Sequence, residues 1–266
     1  MQDMRNWTVT EICQESELEK MRAGWEGLLH DSGSDTIFLT WHWILAWWSR
    51  YGVPGQLRIL AVFDGSGVLR GIAPLRCRTV QRYGQAVRGL CFLGDGSNDS
   101  EYLDLIIAAG FETEVVEALC SHLAPELDRG TILQLNEIPE SSPNLFCLKA
   151  EASRRGLEWT ETSVDCGTVS LPESWEEYLS KLRPRFRTKI RSVLRNLECR
   201  PQIRFGFCET SAQVQRALAA LFDLHTRRWA QDGKPGVFGW QAKRDFYFDL
   251  SLRLLDRGWL RFSWLE

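Results

Sequence analysis

The densest charge in the chain lies between Lys181 and Arg204. It holds nine basic residues (Lys181, Arg183, Arg185, Arg187, Lys189, Arg191, Arg195, Arg200 and Arg204) and one acid, Glu198. This segment carries +8 in a chain of net charge −3, so the remainder carries −11. Guanidinium forks match the geometry of phosphate and carboxylate, so the run is a candidate anion site, with Arg187 and Arg191 at its centre. The phosphate of a sugar nucleotide, an acyl carrier or a tRNA would suit it. A solvated basic face over a buried apolar stripe is the plainer reading.

His225 is the second chemical signal. Imidazole titrates near neutral pH and can serve as a general base. The residue falls in helical phase with Val214, Leu218, Leu221, Phe222 and Trp229, so a hydrogen-bonded core histidine is the competing reading. Trp229, one turn on, is a candidate substrate contact. Third, the polar run Gly94-Asp95-Gly96-Ser97-Asn98-Asp99 precedes Tyr102-Leu103-Asp104. Turn chemistry accounts for the glycines, yet Asp99, Tyr102 and Asp104 could line a pocket for an amine or hydroxyls. Trp41, Trp43, Trp47 and Trp48 read as core packing rather than a platform for sugar stacking.

Other chemistries lack their signatures. The sequence has no Walker loop, dinucleotide fingerprint, H-E-x-x-H or G-x-S-x-G motif. Its eight cysteines form no C-x-x-C pair and the four histidines do not cluster with them, so no metal is expected. Reduced thiols and the acids Asp3, Glu11, Glu15, Glu17, Glu19 and Glu26 near the start speak against a secreted chain, and the expected location is cytoplasmic. The longest apolar stretch, Ile37 to Trp48, contains His42 and is too short to span a bilayer, so no membrane insertion is expected.

The elements that must position these residues alternate in type. A helix is expected over Trp41–Tyr51 with Thr40 as its cap. A hairpin follows, Leu57–Phe63 returning over Val68–Val80 through Asp64-Gly65-Ser66-Gly67. Pro74 in the return points to an edge or a bulge. Further strands are expected at Ala86–Leu93, Tyr102–Ile107 and Thr131–Leu135, with helices at Glu112–Leu127 and Leu145–Arg155. Trp159–Ser170 reads as extended. From Ser174 and Glu177, spaced as a capping box, a helix opens, and Pro184 starts the next. There follow a strand (Gln202–Cys208), a helix (Ala212–Ala230) behind Thr210 and Gln213, a Gly-rich loop, a helix (Gln241–Asp256) and a strand (Trp259–Leu265). This mixture indicates an α/β or α+β sheet protein. A chain of 266 residues with 44% hydrophobic and 25% charged residues can bury a core without disulfide or metal staples.

Taken in order, Trp41 to Trp48, Gly71-Ile72-Ala73-Pro74-Leu75, Phe92-Leu93-Gly94 through Asp99 to Asp104, Leu171-Pro172-x-Ser174-Trp175-x-x-Tyr178-Leu179, the Arg183–Glu198 basic helix and Leu224-His225-x-x-Arg228-Trp229 resemble the GNAT-like acetyltransferases of the CelD/BcsL type. That family is associated with cellulose or exopolysaccharide production and is similar in plan to Fem peptidyltransferases. The resemblance implies two GNAT-like modules, with mixed central sheets flanked by helices: residues 1–165 as a degenerate, substrate-shaping half, and 166–266 as the first part of a second. It also implies transfer of an acyl group from acetyl-CoA or another acyl-CoA to an amine of a small or sugar-linked acceptor, without a metal. In such enzymes the amine attacks the thioester directly while a base removes its proton. The site residues it suggests are His225, Asp99 and Tyr102 as catalytic, and Asp104, Arg187, Arg191 and Trp229 as substrate-binding.

GNAT proteins hold the CoA pyrophosphate on a Q/R-x-x-G-x-G/A loop, which is not found in residues 1–266. The second half repeats helix then strand without the partner strand that followed in the first. The expectation is therefore a sequence that continues beyond Glu266, with the cofactor-binding loop there. Two alternatives share the fold: an aminoacyl-tRNA-dependent peptidyltransferase and a non-catalytic accessory protein of polysaccharide synthesis. Nucleic-acid binding through 181–204 is a third reading, opposed by the acidic remainder.

Overall fold

A computed structural model describes residues 7–97 and 99–266. Asp3 and Asn98, both used in the sequence argument, lie outside the described residues. The chain runs β1 (Thr8–Ile12), α1 (Glu15–Leu18), α2 (Arg22–His30), α3 (Trp41–Tyr51), β2 (Leu57–Phe63), β3 (Leu69–Arg82), β4 (Gln85–Phe92), β5 (Ile106–Ile107), α4 (Glu112–Leu127), β6 (Ile132–Gln134) and α5 (Pro143–Arg154). It continues through α6 (Trp175–Lys181), α7 (Pro184–Glu198), β7 (Phe205–Phe207), α8 (Ser211–Ala230), α9 (Gln241–Asp256) and β8 (Ser263–Leu265). The result is a mixed α/β architecture, as expected from the sequence.

The main sheet has the order β1-β2-β3-β4-β6, with β5 also paired to β3. All pairings are antiparallel except β4 with β6, which is parallel. Asp64 closes the β2–β3 hairpin, its carboxylate accepting the Ser66 and Val68 backbone N–H groups at 2.9 and 3.1 Å. Pro74 corrects the expectation of an edge or bulge, since it sits inside the central strand β3. There β3 pairs with β5 through Gly71 and Ile72 and with β4 from Leu75 onward. Pro74 falls between the two partners, where its missing N–H removes no ladder bond.

Helices α2, α3 and α4 cover this sheet. Trp25, Trp41, Ile44 and Trp47 from the first two, and Val115 and Leu119 from α4, are buried with Ile59, Leu60, Ile72 and Phe92 of the strands. Thr40 caps α3, accepting the Trp43 N–H at 3.3 Å. Helix α9 joins the same core, to which it contributes Phe246 and Leu250.

The segment after α5 is built differently. Residues 155–174 contain no strand, so the extended stretch expected at Trp159–Ser170 has no ladder partner among the described residues. Ser174 caps α6 by accepting the Glu177 N–H at 3.1 Å, while the Glu177 carboxylate turns to Lys181 instead of closing the box. Thr210 and Gln213 form both halves of the box at α8. Strand β8 pairs antiparallel with β7, Gly206 opposite Trp264, in a separate two-stranded sheet. Cys208, Val214 and Leu218 form a small second core. Helix α7 starts at Pro184 as expected but buries none of its residues. Its stripe of Phe186, Val193 and Leu194 is exposed. Among the described residues no helix is long and apolar enough to cross a membrane.

Candidate functional site

The loop that follows β4 turns on glycines. Gly94 has φ +97°, and a side chain there would press on Ser100 Oγ at 2.9 Å. This lets the chain double back beneath α3 and α9, where Asp99 meets three partners. Its carboxylate accepts the Tyr51 and Tyr247 hydroxyls, each at 3.1 Å, and pairs with Lys243 Nζ at 2.9 Å. The Asp99 side chain is wholly buried. Burial, then the Asp99 charge and hydrogen bond, push the Tyr247 phenol up to about 12 and raise Tyr51 as well. Both phenols therefore stay protonated donors. Lys243 Nζ also donates to the Ser97 carbonyl at 2.9 Å. Asp99 thus ties the loop and α3 to α9.

His225 stands on the last third of α8, under the Gly-rich loop. Gly236, at φ +63°, lies so close that a Cβ would overlap the imidazole. The ring packs edge-on to Phe238 at 4.8 Å between centroids and tilted against Trp229 at 5.9 Å. Its Nδ1 is buried and has no hydrogen-bond partner among the described residues. Trp229 in turn lies beneath Lys234 Nζ, 5.8 Å from the ring centroid. Phe238 touches Tyr247 on its other side, at 5.3 Å. Two aromatic rings therefore bridge His225 to Asp99, although 126 positions separate them in the chain.

The remaining candidates lie elsewhere. Tyr102 is partly exposed, adopts φ +52°, and stacks on Phe38 at 6.4 Å. A left-handed backbone at a non-glycine residue costs about 1–3 kcal/mol and persists only where its surroundings enforce it. Asp104 is 3% exposed and accepts the Ser34 and Ser142 hydroxyls at 3.0 and 2.6 Å and its neighbour Leu105's N–H at 2.7 Å. Burial raises its carboxyl, and these hydrogen bonds oppose that. Ser142 also caps α5, so Asp104 locks that cap to the segment leading into β5. Arg191 pairs with Glu176 of α6 at 2.9 Å, and Arg187 is half-buried on α7. Among the described residues no hydrogen bond or ion pair joins either arginine to His225, Asp99 or Tyr102.

Sequence reasoning missed Tyr51, Lys243 and Tyr247. Lys243 and Tyr247 stand four apart on α9, a spacing that places both on one helix face. Nothing local marks that face as opposing Asp99. Among the described residues no group of three or more His, Cys, Asp or Glu is placed to hold a metal ion.

Residues 184–266 match a family model described as an acetyltransferase (GNAT) domain. Solved structures similar to this chain include an aminoglycoside N-acetyltransferase, AAC(6')-Iy, in complex with CoA. It shows 15% identity and a TM-score of 0.36 over 63% of this chain and 98% of that one. Another is an aminoglycoside acetyltransferase from an uncultured soil metagenomic sample, with 16% identity and a TM-score of 0.37 over 62% and 99%. No curated protein matches the chain.

Proposed function

We propose that this protein is an acetyl-CoA-dependent N-acetyltransferase acting on a primary amine of a small or sugar-linked acceptor. The observation that carries the reading is the match of residues 184–266, which include α8 and His225, to the acetyltransferase (GNAT) domain. The family resemblance in the sequence adds an acceptor connected with the cell envelope or exopolysaccharide.

In this reading the amine nitrogen attacks the thioester carbonyl of acetyl-CoA. The new N–C bond forms as the C–S bond breaks, His225 takes the proton that the attacking nitrogen sheds, and the departing CoA thiolate takes that proton up in turn and leaves as the thiol. With Nδ1 sealed against Gly236 and Phe238, Nε2 is the nitrogen assigned to receive that proton. Tyr247 and Asp99 act at one remove. They hold α9, and through Phe238 the imidazole, against the loop after β4.

The test is amine-dependent release of CoA thiol from acetyl-CoA across a panel of amino sugars and simple amines. No release with any amine overturns the reading. His225→Ala is expected to lower kcat by about 10²–10⁴ with the melting temperature unchanged. A variant that instead loses several kcal/mol of stability assigns His225 to the core.

A further inference from the structure

Arg76 is the least explained charge in the described structure. It lies on β3, opposite Cys91 of β4, and is only 9% exposed. Its Nη2 donates to the Asp95 carbonyl at 2.8 Å and its guanidinium lies over the Trp47 ring, 4.7 Å from the centroid. Its Nε is buried with no partner, and among the described residues no carboxylate comes within ion-pairing distance. A guanidinium does not shed its proton in a protein. Burial and the neighbouring Arg78 charge disfavour the cation and outweigh the weaker pull of the Asp95 charge, but they leave it charged. A buried charge without an ion-pair partner is costly, so such a group favours an anion at its open Nε.

The surroundings are arranged to admit one. Arg78, two residues on and hence on the same face of β3, pairs with the Asp95 carboxylate at 3.2 Å. The same carboxylate takes the Asn136 amide at 3.2 Å, so it is already committed. These groups gather where the parallel pairing of β4 with β6 ends, at Cys91 opposite Gln134. Gly96 arches over them at φ +86°. A Cβ on it would stand 3.3 Å from Arg78 Nη1 and 3.6 Å from Arg76 Nη2, so bare backbone approaches both guanidiniums.

We infer that Arg76, with Arg78 beside it and the Gly94–Ser97 backbone above, forms a binding site for one oxyanion, the carboxylate or phosphate group of a small ligand. Asp95 balances Arg78, and the ligand's single negative charge balances Arg76. The inference does not depend on the acetyltransferase reading.

The test is a titration of the purified protein with inorganic phosphate and, separately, acetate, at ionic strength held constant with chloride. Thermal stability and the arginine Nε–Hε NMR signals are followed. Saturable stabilisation by phosphate alone identifies a phosphoryl ligand; saturation by acetate identifies a carboxylate. Arg76→Gln is expected to weaken that binding about 10- to 100-fold, the loss of a charged hydrogen bond. The exposed Arg227→Gln should leave it unchanged. If Arg76→Gln does not fold, Arg78→Gln serves: it frees Asp95 to neutralise Arg76 and should weaken binding by a similar factor. A response that fails to saturate, that chloride reproduces, or that survives in these variants overturns the proposal.

Discussion

Helices α3 and α7 are both amphipathic, yet they meet opposite fates. Helix α3 buries Trp41, His42, Trp43, Ile44, Ala46, Trp47 and Trp48. Helix α7, longer and more sharply divided between basic and apolar faces, buries nothing. The difference lies in what each faces. Beneath α3 runs the antiparallel ladder of β2, β3 and β4, with its own apolar face and α9 closing the far side. Helix α7 meets the short α6 through the Arg191–Glu176 pair and adds no residue to either core among the described residues. A helix's hydrophobic pattern states which face seeks burial, whereas another element decides whether burial occurs.

Matched truncations would break or sharpen this contrast. Ile44→Ala in α3, a position 0% exposed, is expected to cost about 2–5 kcal/mol in urea denaturation. Leu194→Ala in α7, 38% exposed, should stay within about 0.5 kcal/mol. Equal costs would mean that α7 finds a partner in solution, and the contrast would fall.

A smaller effect is expected at the far edge of the sheet. Arg58, 5% exposed, donates to Glu11 at 2.9 Å and to Glu126. Burial pushes the Glu11 carboxyl up, but Arg58 and His122 outweigh it, and Arg58 lowers Glu126 directly. Both carboxyls thus lie below the usual 4.5. Their contribution is present above that pH and is lost as pH falls through the folded values. Arg58→Ala is expected to cost about 2–3 kcal/mol at neutral pH, tempered by the partial exposure of both carboxylates. The acid side of its stability profile should be flatter than the wild type's. An unchanged acid slope would remove these carboxylates from the account.

Smallest is the tie of α3 to α9 through Asp99. Asp99→Asn removes the charge facing Lys243 and should cost about 1–2 kcal/mol. It should also draw the Tyr247 phenol from about 12 towards its ordinary 10, with burial retaining part of the shift. Ultraviolet titration of tyrosine reads this directly. A Tyr247 titration that does not move would show that α9 is held by packing alone.

Much of this was legible beforehand because it is local. Helix boundaries at Trp41–Tyr51, Glu112–Leu127 and Gln241–Asp256, the Asp64–Gly67 turn and the Thr210 capping box depend on residues within a few positions of one another. Strands were less so. Tyr102–Ile107 shortens to Ile106–Ile107, because β5 is defined by Gly71 and Ile72, two residues of the stretch of β3 that β4 leaves free. Propensity contains no information about that vacancy on β3. Pro74 was legible as a break in pairing but not as one inside a central strand.

The candidate site divides along the same line. Sequence alone singled out His225, Asp99 and the basic run, since residue type and spacing advertise protonation and charge. Only the tertiary structure decided that Asp99 would be enclosed by Tyr51, Tyr247 and Lys243. Only it decided that Asp104 would lock a helix cap, that Phe238 and Tyr247 would bridge His225 to Asp99, and that Arg76 would be buried without an ion-pair partner. Periodicity and capping arise between neighbours in the chain, where sequence distance and spatial distance agree. Burial, ion pairing and pKa depend on groups a hundred or more positions apart, and packing the sheet and helices is what brings those together.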